Sequence, residues 1–271
     1  VRTLAGRTAF ITGGAAGIGL GVARALGREG VSLILADIEP DTLEDAARGL
    51  REQDYAVATE VLDVADADAY GVVARRVLER EGHVDILFNN AGVGSYSLAG
   101  DTPMADWRWV LDVNVLGVAH GVECFLPAML AAGSEAHIIN TASMAGQLGT
   151  PGMGPYCASK FAVVGYSETL RLELAESSVG VSVLCPAWVK TRIAESHRNH
   201  PAPHADEASI DGMRSIHAII EEEGITVDEV AARVVEGIRD DIFYLFTHPE
   251  FWPPLEERLA GIQRDYRRIV A

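Results

Sequence analysis

Short runs of β-branched and aliphatic residues alternate with longer amphipathic runs through almost the whole of this 271-residue chain. Strand and crossover helix produce that pattern in a parallel sheet. Strands are expected over residues 8–12, 32–36, 56–62, 86–89, 137–141, 181–185 and 243–246, and helices over 17–29, 41–51, 66–81, 107–132, 155–176 and 227–240. Stretches such as Leu33-Ile34-Leu35-Ala36 and Ile86-Leu87-Phe88 are continuously apolar rather than alternating, as strands covered by helices on both sides must be. The expected fold is α/β: one doubly wound, seven-stranded parallel sheet with helices on both faces. No Pro/Ser-rich linker and no long repeat divides the chain, so a single domain over 1–271 is expected.

Charge narrows the function classes. Asp plus Glu number 39 against 22 Lys plus Arg, a formal net charge of −17, which repels phosphate backbones and anionic lipid. Nucleic-acid and membrane partners are therefore not expected. Residues 1–6 lead straight into the first strand without the pattern of a signal peptide, and the longer apolar stretches are interrupted by charge or glycine; a cytoplasmic protein is expected. Cys124, Cys157 and Cys185 lie far apart without ligand spacing, and they read as reduced core thiols rather than a disulfide or zinc framework. No metal site is expected, the histidines around residue 200 included.

The first strand runs into Thr12-Gly13-Gly14-Ala15-Ala16-Gly17-Ile18-Gly19 and at once into an amphipathic helix. Glycines at a strand-to-helix turn let the backbone approach a pyrophosphate, and the helix N-terminus offers aligned N–H groups. The spacing Thr-Gly-x-x-x-Gly-x-Gly resembles that of the short-chain dehydrogenases/reductases, which implies a Rossmann fold and a nicotinamide dinucleotide, with Gly13, Gly17, Ile18 and Gly19 at the cofactor. Asp37 closes the second strand, where a carboxylate accepts from both adenosine ribose hydroxyls; a cap or turn role is its plainer alternative. A 2′-phosphate at about 4 Å would meet roughly 4 kcal/mol of repulsion per unit charge at an effective dielectric near 20. Neither Ala16 nor Ile38 supplies a compensating cation, so NAD is expected over NADP. Asp63-Val64 resembles the family's adenine-contacting pair, and Asn89-Asn90-Ala91-Gly92 its Asn-Asn-Ala-Gly motif, placing Asn90, Ala91 and Gly92 against the cofactor.

Tyr156 and Lys160 stand four residues apart on one expected helix face. Phenol ionises near 10, and a neighbouring ammonium together with a positive nicotinamide favours phenolate; reaching about 7 takes roughly 4 kcal/mol. Ser143 lies just past the fifth expected strand, at the carboxyl end where such sheets bind ligands. The resemblance implies that Ser143 holds the substrate oxygen and that Asn114 completes a tetrad with Ser143, Tyr156 and Lys160, bending its helix and supporting a proton path. Tyr156 and Lys160 then also touch the cofactor.

Pro186-Ala187-Trp188-Val189-Lys190-Thr191 resembles the family's Pro-Gly-x-Val-x-Thr, which borders the nicotinamide through Pro186, Val189 and Thr191. Ala187 stands where the family usually has glycine, so its backbone is expected to avoid a glycine-only conformation. Trp188 reads equally as pocket wall or surface packing. Residues 193–226 are rich in His, Pro and Asp, among them His197, His200, Pro201, Pro203, His204 and Asp206, with a helical stretch over 216–223; a substrate lid and a solvated insertion loop are both open. Leu255, Leu259, Ile262, Tyr266 and Ile269 share one face of a helix over 253–270, expected to pack on the sheet or on a partner subunit.

Together these readings imply an NAD-dependent oxidoreductase that interconverts a secondary alcohol and a ketone, with Tyr156 as acid/base. Ile193-Ala194-Glu195-Ser196 and Phe243-Tyr244-Leu245-Phe246-Thr247-His248-Pro249-Glu250 resemble the branch of lignin aryl-ether Cα-dehydrogenases, which implies an aryl or other bulky hydrophobic alcohol. A 3-oxoacyl thioester reductase and a non-catalytic dinucleotide sensor are the alternatives. Asp37 and the acidic balance oppose the first, and the complete tetrad opposes the second. The family resemblance further implies a homotetramer or dimer built on the helices over 107–132 and 155–176.

Overall fold

The computed structural model describes residues 1–202 and 207–270. Seven parallel strands form one sheet in the order β3-β2-β1-β4-β5-β6-β7. They are β1 (Thr8–Thr12), β2 (Ser32–Asp37), β3 (Val57–Val61), β4 (Ile86–Asn89), β5 (Ala136–Thr141), β6 (Val179–Cys185) and β7 (Tyr244–Phe246). The order reverses between β1 and β4, and in doubly wound sheets the crevice at such a reversal receives the ligand.

Alternate residues of β1 face opposite layers. Ala9 and Ile11 point into a core shared with α1 (Gly17–Arg28), α2 (Pro40–Arg51) and α8 (Val227–Asp240). Phe10 points the other way, its ring 4.7 Å from that of Phe125, into a layer with α3 (Ala67–Glu81), α4 (Met104–Leu111), α5 (Gly117–Ala132) and α6 (Gly154–Glu173). Covering on both faces explains the unbroken apolar strands. The start of α8 is fixed locally by a capping box, in which Thr226 and Glu229 exchange side-chain and backbone hydrogen bonds.

Two expectations are corrected. The helix expected over 107–132 begins at Met104 and is interrupted by a π-turn at Asp112–Leu116. The whole run Met104–Ala132 is apolar and long enough to match a membrane span by length and composition; Val110, Val113, Val118, Val122, Phe125 and Met129 are buried in this fold, which gives that apolarity a packing use. The helix expected over 216–223 is the end of a longer one, α7 (Glu207–Glu223), preceded by a 3-10 segment at Ile193–Asn199. Pro203, His204 and Asp206 lie outside the described residues. The terminal helix, α9 (Trp252–Arg267), buries Leu255 but leaves Leu259, Ile262 and Tyr266 exposed, so most of its apolar stripe is not packed on the sheet, and packing on a partner subunit remains open.

Candidate active site

At the end of β1 the backbone turns through Gly13 and Gly17, whose φ of 62° and 52° lie in the left-handed region that glycine enters freely. A Cβ on Gly19 would sit 2.1 Å from the Gly13 carbonyl oxygen, and one on Gly17 would sit 3.1 Å from Thr191 Cγ2. The turn is thus folded tightly on itself below Thr191. It presents bare backbone to a cleft of about 750 Å³ that runs along the carboxyl ends of the strands. Thr12 and Asn90 hold it from the side. Asn90 Nδ2 donates to the Thr12 carbonyl at 3.0 Å, while Thr12 Oγ1 accepts from the Asn90 and Ala91 N–H groups at 2.9 and 3.1 Å.

Asp37 faces the same end of the cleft. Its carboxylate accepts from the Ala15 and Glu39 N–H groups, both at 3.1 Å. Burial pushes its pKa up, the two N–H bonds work against that, and the nearby Glu39 carboxylate adds to the rise. Asp63 and Val64, beyond β3, and Asn90, Ala91 and Gly92, beyond β4, continue the wall together with Ile18.

The other end of the cleft is built on β5 and α6. Ser143 follows β5 and is 6% exposed; its Oγ donates to the Pro186 carbonyl at 3.2 Å and accepts from Ala145 N at 3.1 Å, and it stands near enough to the Tyr156 phenol to favour the phenolate. Tyr156 and Lys160 lie one turn apart on α6, with Nζ 5.6 Å from the ring centroid. Lys160 is buried, and its Nζ donates to the Thr141 carbonyl at 2.9 Å. Burial pushes the Lys160 ammonium down to about 8. It also pushes the Tyr156 phenol above its ordinary value, the Ser143 hydroxyl offsetting only part of the rise. The expected lowering of the phenol drew on the positive nicotinamide as well as on Lys160; in the protein alone, desolvation of the phenolate is the largest influence and acts in the opposite direction.

Two expected site residues, Gly19 and Asn114, do not line the cleft. Asn114 lies wholly buried inside the π-turn. Its Oδ1 accepts from Val93 N at 2.8 Å, and its Nδ2 donates to the Val93 carbonyl and to Ser159 Oγ, each at 3.0 Å. It pins the loop after β4 in the manner of a neighbouring strand. A Cβ on Gly92 would lie 3.4 Å from both Asn114 Oδ1 and Lys160 Nζ, so these two groups meet at Gly92.

Pro186, Val189 and Thr191 border the cleft after β6. Ala187 is not among the residues with positive φ, which agrees with the expectation for a non-glycine residue there. Trp188 is a pocket wall: it lines the cleft and packs with Met153, Ile216 and Ile220 in an apolar cluster that also takes in Tyr156. Residues 193–202 roof the middle. Glu39 Oε1 accepts from Arg198 Nε at 2.7 Å and Asn199 Nδ2 at 2.9 Å, Ser196 Oγ accepts from Gly94 N at 3.1 Å, and the His200 ring meets Trp109 edge-on at 4.5 Å. Sequence reasoning missed Thr12, Glu39, Arg198 and His248, whose partners are remote along the chain.

A family model described as short chain dehydrogenase matches residues 7–202. A C alpha-dehydrogenase from Sphingobium sp. (strain NBRC 103272 / SYK-6) is 33% identical over 259 residues, 94% of this chain and 85% of its own. A CLA biosynthesis dehydrogenase/reductase from Lactiplantibacillus plantarum is 30% identical over 94% of this chain and 93% of its own. Among solved structures, a short chain dehydrogenase/reductase from Burkholderia phymatum in complex with NAD superposes with a TM-score of 0.95 at 36% identity, covering 98% of this chain and 97% of that one.

Proposed function

This chain belongs to the short-chain dehydrogenase family, and from that premise we propose that it is an NAD-dependent oxidoreductase interconverting a secondary alcohol and a ketone. The observation that carries the reading is convergence. Ser143, Tyr156 and Lys160 stand together at the end of β5, in the same cleft as the glycine turn and Asp37.

The residues present fit the dinucleotide. The close packing that forbids a Cβ at Gly19, and the left-handed glycines beside it, leave backbone free to lie against a pyrophosphate. Asp37 is already oriented by two N–H donors, and its charge favours ribose hydroxyls over a 2′-phosphate. NAD, when bound, supplies the hydride acceptor and a positive ring.

The chain's own residues do the rest. Ser143 Oγ holds the substrate oxygen, and the Tyr156 phenolate takes the hydroxyl proton. The Lys160 ammonium, kept below its ordinary pKa but still protonated at neutral pH, supports that phenolate. Asn114 keeps the Gly92–Val93 wall in place behind Lys160. Reduction runs the same steps backward.

The apolar end of the cleft supports a bulky hydrophobic substrate. Met144, Met153, Trp188, Met213 and Phe251 line it, and residues 193–202 together with α7 serve as its lid. The resemblance to a C alpha-dehydrogenase favours an aryl alcohol. We further propose a cytoplasmic homotetramer or dimer, formed through α5 and α6.

The test follows NADH absorbance while the protein meets NAD and secondary alcohols of benzylic, steroidal and long-chain aliphatic types. Turnover is expected with the benzylic class and is expected to fall about 10²–10⁴-fold in Tyr156→Phe, the range for loss of a general acid/base, with NADH binding retained. Undiminished turnover in that variant would remove Tyr156 from the mechanism.

A further inference from the structure

His248 follows β7 in a stretch beyond the residues that the family model matches, yet it reaches back to the loop after β6. It is 4% exposed. Its Nδ1 lies 3.3 Å from the Ala187 backbone N and 2.7 Å from Thr247 Oγ1, and its Nε2 lies 3.0 Å from the Trp188 carbonyl. These partners fix the tautomer. A backbone N–H only donates and a carbonyl only accepts, so Nδ1 carries the lone pair and Nε2 the hydrogen. The Thr247 hydroxyl then donates to Nδ1 as well.

The N–H that His248 accepts and the carbonyl that Ser143 uses belong to one peptide group. The Pro186 carbonyl accepts from Ser143 Oγ at 3.2 Å and from Met144 N at 2.8 Å, while the N–H on the other side of the same planar unit goes to His248. Holding one end of a planar group fixes the direction of the other. No glycine-only conformation sets this orientation, since Ala187 lacks a positive φ.

We propose that His248 is a positioning residue for Ser143, holding the Pro186–Ala187 peptide at the angle on which the serine hydroxyl rests. This rests on the oxidoreductase reading for its kinetic consequence. The Ser143 hydroxyl rests on the Pro186 carbonyl and must turn from it to meet a substrate oxygen, so a turned peptide changes how well the serine meets the substrate. The Trp188 carbonyl also accepts from Ile225 N at 3.0 Å, and it stays paired without His248. For the Ala187 N–H, His248 is the acceptor that the described residues provide. The Nδ1 contact is therefore the one that matters.

That asymmetry sets the test. Asn places a carbonyl oxygen near the position of Nδ1, Gln places its amide nearer that of Nε2, and Ala offers neither. Hydrogen exchange at the Ala187 amide is measured on the cofactor-free chain, and kcat, KM and NADH affinity on the active enzyme, for His248→Ala, His248→Asn and His248→Gln, with Tm recorded throughout. Exchange at Ala187 is expected to quicken, and kcat to fall, each by about tenfold in the Ala and Gln variants, the worth of one net hydrogen bond. NADH affinity should stay within about twofold, and the Asn variant should recover most of both losses. Ala187 exchange unchanged in His248→Ala, or an Asn variant no better than Ala, would overturn the proposal. A wild-type chain silent toward every alcohol, with the exchange pattern as expected, would sink the oxidoreductase reading and still support the clasp on this peptide.

Discussion

A lysine that is almost fully buried works against folding, and Lys160 shows how much this site costs the chain. Its ammonium ionises at about 8 in the folded protein against 10.5 for a free lysine. Between those values the unfolded chain binds a proton that the folded chain lacks. Stability from this residue is therefore present in full above about 10.5, falls as the pH drops toward 8, and is constant below that. The shift corresponds to about 3 kcal/mol at neutral pH, from 1.36 kcal/mol per unit. Lys160→Met removes that cost but loses the bond to the Thr141 carbonyl, worth about 1 kcal/mol. The variant is expected to be inactive yet about 2 kcal/mol more stable in urea unfolding at pH 7, with the gain shrinking toward pH 10. A variant less stable than wild type at pH 7 would mean that Lys160 is held more favourably than its burial implies. Tyr156 shifts in the opposite sense because its charged form is the anion, and burial disfavours either charge.

At the scale of elements, the strands were legible because parallel strands covered on both faces must be apolar throughout; β1, β2 and β4 lie within a residue of their expected bounds. The site residues on them were legible for the same reason, since Asp37, Asn90 and Ser143 follow directly from where a strand stops. The π-turn was legible only through the resemblance, which implied a bend at Asn114; Asn114 pairs with Val93 from a different element, and no local period records such a pairing. Glu39, Arg198 and Asn199 were missed for that reason: the carboxylate lies about two residues past the expected ribose-binding Asp37, but its partners are 159 and 160 positions away. This bridge ties the roof of the cleft to its adenosine end. Arg198 and Glu39 are each about a quarter to a third exposed, so the pair is worth on the order of 0.5–1 kcal/mol, and the Asn199 bond adds a similar amount. Glu39→Ala is accordingly expected to speed NADH release about fivefold to tenfold in stopped-flow fluorescence, and to quicken hydrogen exchange over residues 193–199. Release at the wild-type rate would mean that the Ser196 and His200 contacts alone hold the roof.

The whole molecule carries a formal net charge of −17 and exposes apolar side chains on α3, the α5 region, α6 and α9. Leu172 on α6 is 78% exposed, and Leu116 and Leu130, at the two ends of the adjoining α5 region, are 46% and 43% exposed, while Val72 on α3 is 49% exposed. The assembly proposed through α5 and α6 would cover Leu172 with a second subunit. Self-association brings like charges together, and salt screens that repulsion over a Debye length of about 10 Å near 0.1 M. Light scattering is expected to give a dimer or tetramer of the 29.0 kDa chain, with partial dissociation as ionic strength drops to about 0.01 M, where the screening length is about 30 Å. Leu172→Glu should yield the monomer at ordinary salt, and Val72→Glu should leave the mass unchanged. If neither substitution alters the mass, the contact lies on another face, and the exposed stripe of Leu259, Ile262 and Tyr266 on α9 becomes the next surface to charge. A wild-type monomer at micromolar concentration and ordinary salt would end the assembly reading, and Leu172 would then stand as an isolated exposed side chain.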